Sequence, residues 1–213
     1  AIRGLPDKGR GIDRLDMTDA RRLPPQGRRD MIEMINECEQ HQAWPWQIQL
    51  AIIMLQPKGS GAKGPSSICE GGDRALALLP WMARTWELMH RQEVQRWAKD
   101  VEEPFDAAVA GNSSLREAMV RALGDETADA MQMHNGVFLS DIKGFYDSLD
   151  HSKVAKEAQH LGFPPRVLSM SMQLHLTARV LRQDNAFSKT IYAERSILAG
   201  ARCSNQLART VIY

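Results

Sequence analysis

The stretch from Asp141 to His151 (D-I-K-G-F-Y-D-S-L-D-H) holds the residues best suited to chemistry. An apolar run, 136–140, leads into Asp141, and the rings of Phe145 and Tyr146 follow four and five residues later. The run predicts a strand that delivers one carboxylate at its end. A carboxylate so placed can hold a hard divalent cation against a polyphosphate, because such cations prefer oxygen ligands. A flat ring one turn later can floor a sugar pocket. Asp141 and Tyr146 have opposite parity, so a turn after the strand must re-aim the ring before both serve one site. Asp147 and Asp150 are acidic too, and turn formation and N-capping of the next helix account for both.

This string resembles motif A of reverse transcriptases, in the form common to group II intron and non-LTR retroelement enzymes. The resemblance implies two-metal nucleotidyl transfer with two Mg2+ (or Mn2+) ions in the complete enzyme. It makes Asp141 the catalytic metal ligand and the backbone carbonyl of Ile142 a second oxygen ligand. It makes Tyr146 a steric gate whose ring excludes a 2′-hydroxyl. Upstream, Gln56-Pro57-Lys58-Gly59 and then Gly71-Gly72-Asp73-Arg74-Ala75-Leu76 look like the fingers pattern of two short strands joined by a glycine-rich basic loop. There Lys58 supplies a point charge and Arg74 a planar fork for the oxygens of an incoming triphosphate. The following Leu-Leu-Pro-x-x-x-Arg84 also matches, whereas Ala75 stands where the family has proline. Downstream, 199–207 (A-G-A-R-C-S-N-Q-L) is similar to motif B, usually Q-G-x-x-x-S-P-x-L. Gly200 would let backbone approach the nascent base pair, and Arg202 and Ser204 would meet template or primer. The family's glutamine is Ala199 here and its proline is Asn205. The acidic pair of motif C is not in the sequence, which stops at Tyr213 inside the motif B helix. The resemblance therefore implies a fragment that is inactive alone. Its expected partners are an RNA or DNA template–primer and deoxynucleoside triphosphates.

Composition excludes several other classes. The 213 residues are 43% apolar, enough for a real core, and Lys+Arg 27 against Asp+Glu 26 leaves the chain nearly neutral. Any nucleic-acid surface must then be a local patch. The three cysteines, Cys38, Cys69 and Cys203, are odd in number and form no C-x-x-C pair, which argues against structural zinc and a disulfide framework. A reducing, intracellular setting fits that usage, and the family makes a nuclear one natural. No apolar run is long enough to predict a membrane span. A haloacid-dehalogenase phosphatase would need a second Asp two residues after the first, and that position is Lys143.

The elements that must position these residues follow from periodicity and punctuation. Residues 1–29 carry eight Arg/Lys against four Asp with many Gly and Pro. They read as a basic disordered tail or linker, or as an arm that tracks a phosphate backbone. A helix is predicted over 29–42, a strand over 47–55, a loop over 57–72 and a strand over 74–79. A helix from Pro80 to about Ala98 is Trp-rich, which marks core rather than a base-stacking platform. Ser114-x-x-Glu117 forms a capping box for a helix to about Met133, with Leu115, Ala118, Met119, Ala122 and Leu123 as its buried stripe. Helices over 151–161 and 165–177, a hairpin around Asp184-Asn185 and a final helix after Gly200 complete the pattern. The fold class expected is α+β, helix-rich with a small antiparallel sheet: a fingers-like region over 30–133 and a partial palm over 134–213. The competing readings are a decayed or repurposed module that grips nucleic acid without catalysis, and a helical interaction protein whose motifs are chance.

Overall fold

The computed structural model describes residues 10–57, 73–103, 113–136, 142, 144–183 and 186–213. The fold is α+β. Helices α1 (Met17–Arg22) and α2 (Pro25–His41) precede strand β1 (Leu50–Pro57), entered through a 3₁₀ turn at Trp46–Ile48. Strand β2 (Asp73–Leu78) leads to α3 (Trp81–Met89) and α4 (Arg91–Asp100), and α5 (Ser114–Ala130) follows. The short α6 (Phe145–Ser148), α7 (His151–His160) and α8 (Pro165–His175) lead into β3 (Ala178–Gln183), β4 (Ala186–Phe187) and α9 (Ser204–Arg209).

The sheet corrects the expectation of an all-antiparallel one. Its order is β2-β1-β3-β4, with β1 antiparallel to β2 but parallel to β3, Leu50 opposite Ala178 and Ile52 opposite Val180. The physical reason is the crossover. Parallel strands require a long connection that returns the chain to the same end of the sheet, and α3 through α8 supply it. β1 is the strand buried from both sides, which is why 50–55 reads as a nearly continuous apolar run. The hairpin expected from 179–183 and 190–193 takes another form: β3 instead pairs with β4 at Ala186–Phe187, Gln183 opposite Ala186, and an isolated bridge joins Arg179 to Ile191.

The core forms where helices cover this sheet. Trp86 is fully buried and meets Trp44 edge-on at 5.3 Å. Trp97 of α4 meets Phe163 at 4.6 Å, and its indole N–H donates to the Leu161 carbonyl at 2.9 Å. These tryptophans are core, as their helical spacing suggests. The expected single helix over 80–98 is broken at His90, whose φ −87°, ψ 1° leaves helical geometry. The His90 ring is held between Glu39 of α2 and Glu93, the latter at 3.0 Å, and lies 4.9 Å from the Trp86 ring. That anchoring turns the chain at the break.

Residues 10–29, expected as an unstructured arm, contain α1 and the first turn of α2. The Asp13 carboxylate accepts from the Trp81 amide at the start of α3, and Gly11 fits against Leu79 so closely that a Cβ would lie 2.5 Å from the Leu79 oxygen. Asp16 caps α1 by accepting from Thr18 N–H at 2.7 Å. The Arg10 guanidinium, at 2.6 Å, holds its carboxyl down at about 2. Polar residues that read as tail are here the caps that fasten the segment to the fold.

Two helix expectations also change. The N-cap of α5 is Ser113, which accepts from the Arg116 amide, and not Ser114. The stripe Leu115, Met119 and Leu123 is exposed, at 69%, 64% and 63%.

Candidate functional site

Asp141 and Lys58 lie outside the described residues, as do Lys143 and residues 137–140. Arg74 sits in β2 with its backbone paired to Gln56. Ile142 is 57% exposed. Gly144 adopts a left-handed conformation, φ 62°, ψ 40°, and starts α6. The strand end from which a turn is expected to re-aim the Tyr146 ring lies outside the described residues. Asp150 is the N-cap of α7, accepting from Lys153 N–H at 3.0 Å, and Asp147 accepts from the Ser196 hydroxyl at 3.3 Å. Both therefore have structural work within the fold.

Tyr146 is partly buried, and that burial raises its phenol pKa, keeping it a neutral donor. The hydroxyl donates to Asn205 Oδ1 on α9. Asn205 stands where the resemblance expects proline, and here it tethers the tyrosine. The two are held together by segment 195–198, which runs beside 146–150. Ile197 N–H donates to the Tyr146 carbonyl at 3.0 Å, and Ser196 N–H to that of Leu149 at 2.8 Å. Behind this seam the buried Arg179 donates to the carbonyls of Ser196 at 2.7 Å and His175 at 3.0 Å. Burial lowers the pKa of the Arg179 guanidinium.

Gly200 makes the close approach its residue type suggests, though the surface it meets within the protein is β2. Its φ is 119°, and a Cβ would lie 2.8 Å from the Ala77 oxygen. The Ala77 amide donates to the Ala199 carbonyl at 2.6 Å, so the loop covers the outer edge of β2. Ser204 is 2% exposed and its hydroxyl donates to the Leu198 carbonyl at 2.6 Å. It closes the turn into α9. Arg202 is half-buried, and its backbone N–H donates to Glu87 Oε1 at 3.0 Å.

Glu87 is the residue that sequence reasoning missed. It sits on α3, 2% exposed, and accepts from the loop that carries Gly200. Burial pushes its carboxyl up to about 7, against the opposing pull of the Arg202 and Cys203 amides. The same surroundings push the Cys203 thiol up to about 12. Glu87 stands four residues after the buried Ala83, on the inward face of α3.

The wall opposite Tyr146 is α4. A cleft of about 1050 Å³ opens between α4, α6 and α9. Phe145 and Tyr146 line one side, their rings T-shaped at 5.9 Å. Arg96 and Lys99 of α4 and Arg209 of α9 line it too, and no described lining residue is acidic. Cations beside aromatic rings, with Gln92, Gln95 and Asn205 as amide donors and acceptors, can grip a polyanion that carries flat bases. Arg96 and Lys99 were not among the expected site residues. Their helical spacing of three places them on one face of α4.

Among the described residues no group of three or more His, Cys, Asp or Glu could hold one metal ion, and no helix is long and apolar enough to cross a membrane. The sequence matches no protein-family model and has no significant match among curated proteins.

Proposed function

We propose that this chain is the fingers and the first part of the palm of an RNA-directed DNA polymerase from a mobile retroelement, and that it binds template–primer without extending it. The observation that carries the reading is the meeting of Tyr146 and Asn205, 59 residues apart, in one cleft whose other wall is the basic face of α4. Residues of the motif A and motif B strings are thus brought to one place. The Arg96 and Lys99 side chains would track the phosphate backbone, and the Phe145–Tyr146 pair would pack against sugar or base. Gly200 and the Glu87 carboxylate would hold the motif B loop in place beside them.

In the complete enzyme two divalent ions, when bound, would supply Lewis-acid chemistry for nucleotidyl transfer. Asp141 and the Ile142 carbonyl would hold one of them, and Lys58 and Arg74 would hold the phosphates. One carboxylate does not assemble two metals, so residues 1–213 alone should give no magnesium-dependent primer extension.

Fluorescence anisotropy with a DNA primer annealed to an RNA template tests the binding. Affinity should fall steeply with salt, and Arg96→Ala and Lys99→Ala should each reduce the log–log salt slope by about 1. Absent binding, or binding indifferent to both substitutions, sinks the reading. Ala75, Ala199 and Asn205 favour a second reading, a repurposed module that grips nucleic acid without catalysis. Reading the gene about 60 codons past Tyr213, the reach of a motif B helix and a further hairpin, separates the two. An aromatic-x-Asp-Asp in an apolar hairpin favours the polymerase, and its absence favours the module.

A further inference from the structure

The described residues leave one long helix without a partner. Along α5, Leu115, Met119 and Leu123 recur at helical spacing, and each is more than 60% exposed. Val120 beside them is 58% exposed, and no described residue of the helix is buried. A stripe of this kind on a helix of 17 residues is unusual for a solvated surface.

The charges along α5 say what fits it. Its first half carries Arg116 and Arg121 with Glu117, and its second half Asp125, Glu126 and Asp129. Arg121 is already paired within the helix, 3.1 Å from Asp125. Arg116 flanks the apolar stripe at its basic end, and Glu126 continues the stripe at its acidic end. The helix is therefore complementary to itself when reversed. With Met119 of one copy opposite Leu123 of the other, Arg116 falls opposite Glu126 at both ends of the pair. A parallel pairing would instead set Glu126 against Glu126 and Arg116 against Arg116. The reversed arrangement also opposes the two helix dipoles.

We propose that α5 is a self-association surface, on which a second copy of this chain docks through its own α5 in antiparallel orientation. The pair is isologous, as two-fold dimers are. A single helix pair is a small interface, so the dimer is weak and concentration-dependent.

Sedimentation velocity of the 213-residue chain tests this across about 5 to 300 µM, the range in which small interfaces dissociate. The wild type should pass from monomer to dimer. Arg116→Glu alone and Glu126→Arg alone should each stay monomeric, because each sets like charges opposite. An equimolar mixture of the two should dimerise. In the mixed pair both ends again join opposite charges, with the signs reversed at one end and native at the other. The double variant R116E/E126R should dimerise by itself. These positions are exposed, and circular dichroism should show the fold unchanged. A wild type that stays monomeric throughout overturns the proposal. So does a dimer that both single reversals leave intact, or one that the mixture fails to restore.

Discussion

Helices α4 and α5 each carry apolar residues at helical spacing and meet opposite fates. In α4, Val94, Trp97 and Ala98 are buried, and the polar face lines a cleft. In α5, none of the described residues is buried. Periodicity predicts that a helix has an apolar face. It does not say where the surface that covers that face comes from. For α4 the cover comes from far along the chain: the loop after α7 brings Phe163 and the Leu161 carbonyl to Trp97. Hydrophobic stabilisation arises only when area leaves water, so the two stripes contribute unequally.

The comparison can be broken most decisively at Trp97. Replacing it with Ala removes a buried ring and an indole hydrogen bond, and should cost about 3–5 kcal/mol in urea-melt stability. A loss below about 1 kcal/mol, the level of an ordinary surface change, would mean that α4 is no better covered than α5.

A sharper test uses Glu87, beneath the loop that faces α4. Its folded pKa is raised to about 7 from 4.5, so the proton is bound more tightly in the folded state. The stabilisation is complete below pH 4.5 and is lost as pH rises through 7. Glu87→Gln mimics the protonated group. The wild type should lose about 3 kcal/mol relative to this variant between pH 4.5 and 7, and no more above it. His175 acts in the opposite sense. Burial lowers its pKa from 6.5 to about 3, so its contribution is complete above pH 6.5 and falls as pH drops toward 3. In the wild type the two slopes oppose one another between pH 4.5 and 6.5. In Glu87→Gln the acid-side loss from His175 should stand alone. A difference between wild type and variant that does not change with pH would mean that the carboxyl is solvated.

The smallest effect belongs to α5. Met119→Gln keeps helix propensity and should shift the stability of dilute, monomeric protein by less than about 0.5 kcal/mol. A cost of several kcal/mol would show that the chain covers this stripe itself.

What was legible in the sequence divides between local and distant causes. Asp150 as a cap, the return of the chain after β3 and the tryptophans of α3 and α4 as core all rest on residues a few positions apart. The misses came from partners far along the chain. Strand alternation in 47–55 does not encode whether a neighbour runs parallel. The helix break at His90 depends on Glu39. The docking of residues 10–16 depends on the Leu79–Trp81 corner, and the exposure of the α5 stripe on what does not pack there. Of the candidate site, Asp150 as a helix cap was legible. Glu87 and the basic face of α4 were not, because their importance lies in the loop and ring they face.

The parallel pairing of β1 with β3 bears on how the chain reaches its fold. β1 and β2 are close in sequence and can pair early as a hairpin. The other side of β1 waits for Ala178–Arg182, made only after α3 through α8. High contact order of this kind slows folding, because a long loop must close before the pairing is rewarded. Until then the apolar strand at the centre of the finished sheet is an open edge, a template for another chain's strand. A nascent or heat-stressed molecule is therefore most exposed to aggregation at Leu50–Leu55, a segment paired on both edges once folding is complete.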